Sequence, residues 1–130
     1  MAGAGSERYD VATMAGKTYE GLWKHFVPRD GPPRTAPGEV LRAVARISHE
    51  VSINEGAGWD EDHDALVAVL KTHLVDGAGI DAEASAATAR DLAVVSAFGA
   101  SKGGPNGAAV EAVARLKACV VAWCNQRLSV

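Results

Sequence analysis

GAAVEAVARLKACVVAWCNQRL, residues Gly107–Leu128, repeats an apolar residue at Val110, Val113, Leu116, Val120 and Trp123. Intervals of three and four lay a single stripe along a helix, with no period-two alternation to compete. The stretch predicts a long amphipathic helix, the expected centre of a bundle. Glu111 and Arg115, i and i+4 on its outer side, are expected to pair.

Four shorter stretches upstream carry the same period. Tyr19, Leu22, Trp23 and Phe26 make one face of a first helix, with Thr18 as its N-cap and Pro28 as its stop. An earlier turn from Asp10 through Val11 and Met14 is interrupted by Gly16. Residues 28–38 hold four prolines and two glycines, a loop stiffened by its pyrrolidine rings. A second helix over residues 37–53, simply capped by Thr35, buries Val40, Leu41, Val44, Ile47, Ser48 and Val51. Its polar side shows Arg42, Arg46, His49 and Glu50, with Arg46 and Glu50 spaced to pair.

Asn54 and the glycines up to Gly58 end that helix through positive-φ conformations. A third helix follows Trp59 and the acidic run of residues 60–64. Its stripe is Leu66, Val67, Val69, Leu70 and Leu74, and Asp76, Gly77 and Gly79 close it. Asp81 is the expected cap of a fourth helix over residues 82–98, anchored by Leu92, Val95 and Phe98. The alanine-rich first half of that helix predicts close packing, low stability and a face that could seat a second copy in a homodimer. Residues 99–107 read as a loop. The fold class is therefore all-α: a single compact bundle of about five helices over residues 10–130, preceded by a flexible arm over residues 1–9.

The chain has 130 residues, 48% hydrophobic and 22% charged, with a formal charge of −3. One domain of this size buries a core without disulfides or metals. The acidic balance argues against nucleic acid as a partner. No apolar run is long enough for a membrane span, and residues 1–6 lack the basic and apolar parts of a signal peptide. Cys119 and Cys124, five apart on one helix, point to different faces and cannot bridge, so both read as packing thiols in a reducing compartment. Cytoplasmic residence is the expectation.

Chemistry-bearing residues are few. Asp60, His63 and Asp64 share a helical face and could offer mixed oxygen and nitrogen ligands to a metal. The competing account gives the same acidic residues the work of satisfying amides and dipole at a helix N-terminus, and no metal or cofactor is assigned. His25, His49, His63 and His73 lie on three helices, and adjacent His49 and Glu50 point about 100° apart. No serine or cysteine sits in a nucleophile motif, so no catalytic residue is assigned and the residues leave enzyme status undecided, with a non-enzyme the favoured expectation. The glycine-rich loop from Lys102 to Gly107 lacks the P-loop order. Trp23 and Trp123 read as core, whereas Trp59, in a Gly-rich turn, reads as partly exposed.

Thr18-Tyr19, Leu22-Trp23, Val27-Pro28, Thr35 and residues 38–43 (GEVLRA), followed by Glu50, Asn54, Gly58 and Trp59, resemble a group of small bacterial proteins with no assigned activity. The likeness covers residues 18–74, and Pro37 and residues 55–57 depart from it. It supplies no site residues; the alanine, glycine, valine and arginine bias of the chain is consistent with a bacterial source. The expected function is a small helical protein-interaction module: a regulator, adaptor or neutralising partner. Trp59, Asp60, Glu61, Asp62 and Asp64, with the proline loop, are the expected contact residues for a partner with a basic surface. The alternative is a small helical-bundle enzyme or ligand- or metal-binding protein with a site near His63, using Asp60 or Glu50.

Overall fold

The computed structural model describes residues 16–77 and 82–128. The arm over residues 1–9, the turn from Asp10, Gly79 and the Asp81 cap lie outside them. The described residues form five α-helices and no strand: α1 (Tyr19–Phe26), α2 (Ala36–Ser52), α3 (Glu61–Lys71), α4 (Ala82–Ser101) and α5 (Gly107–Leu128). No helix is long and apolar enough to cross a membrane among these residues.

Local chemistry explains the boundaries of α1 and α2. Thr18 Oγ1 accepts from the Gly21 amide at 3.2 Å, and Thr35 Oγ1 accepts from the Gly38 amide at the same distance. Each cap satisfies one of the four amides that a helix start leaves unpaired. Val27, ahead of Pro28, leaves the helical region at φ −98°, ψ 120°, and α1 ends there.

α2 and α5 form the middle of the bundle. α5 packs on α2 and α4 and touches α1, while α3 packs on α2 and α4. The α2 stripe of Val40, Leu41, Val44, Ile47 and Val51 is fully buried, and Leu22, Leu70, Leu74, Val95, Leu116 and Val120 close around it. Each such side chain withdrawn from water contributes roughly 1.5–3 kcal/mol. Tyr19 spans from α1 to α2, its hydroxyl donating to the Leu41 carbonyl at 2.6 Å, and burial pushes its phenol above the ordinary range.

Several expectations are corrected by packing. Val110 is exposed on α5, and Ala109 and Ala112 are buried instead. Arg115 donates Nε and a terminal nitrogen to Asp91 Oδ1 of α4, both at 3.0 Å, so its direct partner is on a neighbouring helix and Glu111 acts on it only at longer range. The third helix seats Leu74 in the core and closes at Asp76 and Gly77 as expected, although its last turn, Thr72–Asp76, is π-helical. α4 continues three residues past Phe98, because Gly99 lets the helix pass directly beneath the Trp59 ring.

Candidate functional site

The residues with chemical potential gather where α2 ends and α3 begins. Glu50, assigned by sequence to a polar face with Arg46, turns inward and is buried. Its carboxylate accepts from the Gly58 amide at 2.6 Å and from Asn54 Nδ2 at 3.1 Å to each oxygen. Those bonds pin a turn in which Glu55 and Gly56 adopt positive φ, at 53° and 81°. The left-handed step falls at these two residues, not at Asn54 or Gly58. Gly58 is required for a different reason: a Cβ there would stand 3.0 Å from Glu50 Oε1 and 2.8 Å from Asn54 Nδ2.

Asp60 then starts α3. Its side chain accepts from the His63 amide at 3.2 Å, and His63 Nδ1 lies 2.8 Å from Asp60 Oδ1. The helix-capping account of this acidic run is thus visible in the geometry. The hydrogen bond from the His63 side chain, reinforced by the His63 amide, holds the Asp60 carboxyl below its ordinary value of 3.8. On the opposite edge of the imidazole, Nε2 stands 3.7 Å from Glu50 Oε1. That separation is too long for a hydrogen bond and acts as an ion pair only when the ring is protonated.

Trp59 covers this assembly. Its ring stacks on His63 with centroids 5.2 Å apart and planes 29° apart, and its Nε1 donates to Asp64 Oδ1 at 2.9 Å. From the other side Gly99 of α4 lies so close that a Cβ would come within 2.2 Å of the indole. Trp59 is therefore only 5% exposed, and its ring is not the partly open anchor that sequence suggested. Of the expected contact residues, Asp60, Glu61, Asp62 and Asp64 are exposed.

The structure brings Asp60, His63 and Glu50 together and turns Asp64 away to Trp59. No group of three or more His, Cys, Asp or Glu among the described residues is arranged to hold a metal ion. Both imidazole nitrogens face carboxylates and His63 is buried, so neither nitrogen is presented to an incoming substrate. The other histidines stay apart: His73 stands 3.7 Å from Glu39 and beside the Trp123 ring, and His25 edges Phe26. Burial pushes the Cys124 thiol up to about 12, far from a nucleophilic thiolate.

Gly99 escaped the sequence reading, and Glu50 entered it only as a polar-face residue and as an alternative companion of His63. The Glu50, Asn54, Gly58 spacing of four and four was a usable signal, as was a lone glycine inside a helical apolar run. Comparison with protein-family models, curated proteins and solved structures finds no match to this chain.

Proposed function

We propose that the protein is a small helical interaction module that presents a pre-shaped acidic turn to a basic surface on another protein, as a regulator, adaptor or neutralising partner. One observation carries this reading. The turn over residues 54–64 is fixed from within by Glu50, Trp59 and His63, while the carboxylates of Glu61 and Asp62 remain exposed without hydrogen-bond partners among the described residues. A turn ordered before contact avoids most of the entropy that a loose loop loses on binding. Its negative charge speeds encounter with a cationic partner. The reading also accords with a bacterial cytoplasmic setting, as the resemblance over residues 18–74 and the two free thiols suggest.

The test is charge reversal. Glu61→Lys with Asp62→Lys leaves the buried assembly intact. It is expected to abolish retention of a stoichiometric protein from host extract while the melting temperature falls only slightly. Equal retention by wild type and variant refutes the reading.

A second reading has one observation in its favour, the imidazole held between two carboxylates. A ligand site near His63 predicts a rise in melting temperature with a divalent metal or small metabolite, lost in His63→Gln.

A further inference from the structure

We propose that the hollows around the proline loop form a second docking surface, one that takes an acidic segment of a partner protein with an apolar residue between its carboxylates. This deepens the interaction-module reading, and rests on it, by giving the module a cationic face besides its acidic turn.

Two adjoining hollows flank residues 28–33, of about 620 and 560 Å³, and both include Gly31 and Arg42 in their walls. The first has half-buried Trp23, Val27 and Pro28 for its apolar surface; the second has Pro33, Leu66 and Val69. Lys24 and Arg29 rim the first, Arg46 the second, and Arg42 stands between them. Arg34 lines a third hollow that shares Lys24 and Arg29 with the first. Five cations thus surround one loop in a chain whose net charge is −3.

Those cations are uncommitted. Among the described residues none of Lys24, Arg29, Arg34 or Arg46 has a carboxylate within ion-pair distance, and Arg42 donates only to the Gly31 carbonyl, at 3.3 Å. Two carboxylates share the region, exposed Asp30 and Glu39, and Glu39 faces His73 at 3.7 Å. Arg115, by contrast, is bound to Asp91, and Arg127 lies 3.8 Å over the Trp123 ring. Free guanidinium groups above an apolar floor ask for a ligand with carboxylates on either side of a hydrophobic side chain. The prolines hold the walls in place without that ligand. A protein segment suits this better than a nucleic acid. A phosphate chain would leave the short cationic region and meet an acidic body, and little aromatic surface stands open for base stacking.

The experiment titrates the full-length protein with a fluorescently labelled short Glu/Asp peptide bearing a central leucine and phenylalanine. Matched probes carry lysine for the acids, serine for the apolar pair, or are replaced by an equally charged DNA oligonucleotide. Saturable binding of the acidic apolar peptide is expected. It should weaken about tenfold or more in Arg42→Glu with Arg46→Glu, and again in Lys24→Glu with Arg29→Glu. The second pair keeps the test intact if loss of the Arg42–Gly31 bond unfolds the first. Both pairs binding as wild type does, the lysine or serine peptide binding equally well, or the oligonucleotide binding more tightly would each overturn the proposal. So would concentration-dependent self-association lost in the same variants, which would make a second copy the occupant. Glu61→Lys with Asp62→Lys should leave peptide binding unchanged. If it loses the host partner while wild type ignores the peptide, this proposal fails and the acidic-turn reading stands.

Discussion

The two connections that flank α2 differ in how they are held. The one before it, residues 27–35, relies on covalent stiffness: Pro28, Pro32 and Pro33 restrict the chain, and the side-chain bonds to it are the Thr35 cap and the single Arg42 contact with Gly31. The one after it, residues 53–60, contains no proline. It is organised by a buried carboxylate from α2, an indole lodged against α4 and an imidazole from α3. Rigidity written into neighbouring residues stays local, whereas rigidity borrowed from three helices ties the acidic turn to the stability of the whole bundle. Substitutions should therefore separate the two.

The largest effect is expected at the carboxylate. Glu50→Ala deprives the Gly58 amide and Asn54 of the buried carboxylate that accepts from both, and should cost about 2–3 kcal/mol in denaturant unfolding. Glu50→Gln, which keeps one acceptor oxygen, should cost less. Gly99→Ala comes next: its new methyl group collides with Trp59, and displacement of the ring should cost about 2 kcal/mol. A smaller loss is expected in the proline connection. Pro32→Ala should shift stability by less than about 1 kcal/mol, chiefly by enlarging the unfolded ensemble. An unfolding midpoint for Pro32→Ala as low as that of Glu50→Ala would erase the contrast.

The finest distinction is pH-dependent. Because the folded-state Asp60 value lies below 3.8, ionised Asp60 adds stability above the unfolded value. That contribution is lost as pH falls through the lower folded value. Asp60→Asn keeps a capping oxygen but not the charge. Wild type should therefore exceed it in unfolding midpoint at neutral pH, and the gap should close as the pH falls below the ordinary carboxylate value of 3.8 and through the lower folded one. A gap that widens on acidification would contradict the His63–Asp60 contact.

The bundle itself was legible, since apolar spacing of three and four marks which side of a helix is buried and Thr18, Thr35 and Pro28 mark where helices begin and end. The acidic turn was legible as a helix start through Asp60. What stayed hidden depended on neighbours distant in sequence. Glu50 reads as solvated on a helical wheel, and only the returning Gly58 amide makes its burial favourable. Trp59 reads as open because nothing nearby announces Gly99, forty positions later. Arg115 reads as the partner of Glu111 until α4 brings Asp91 alongside. The cationic hollows were equally invisible, because their five charges are spread from residue 24 to residue 46 and meet only when the proline loop folds back on α2 and α3.

Amide hydrogen exchange resolved at single residues tests most directly whether the acidic turn is held ready before any partner arrives. Exchange of the Gly58 amide should be slowed nearly as much as that of core amides in α2, while the amides of Asp30 and Gly31 exchange freely and Glu50→Ala releases Gly58. Exchange of wild-type Gly58 as fast as that of Gly31 would contradict the account.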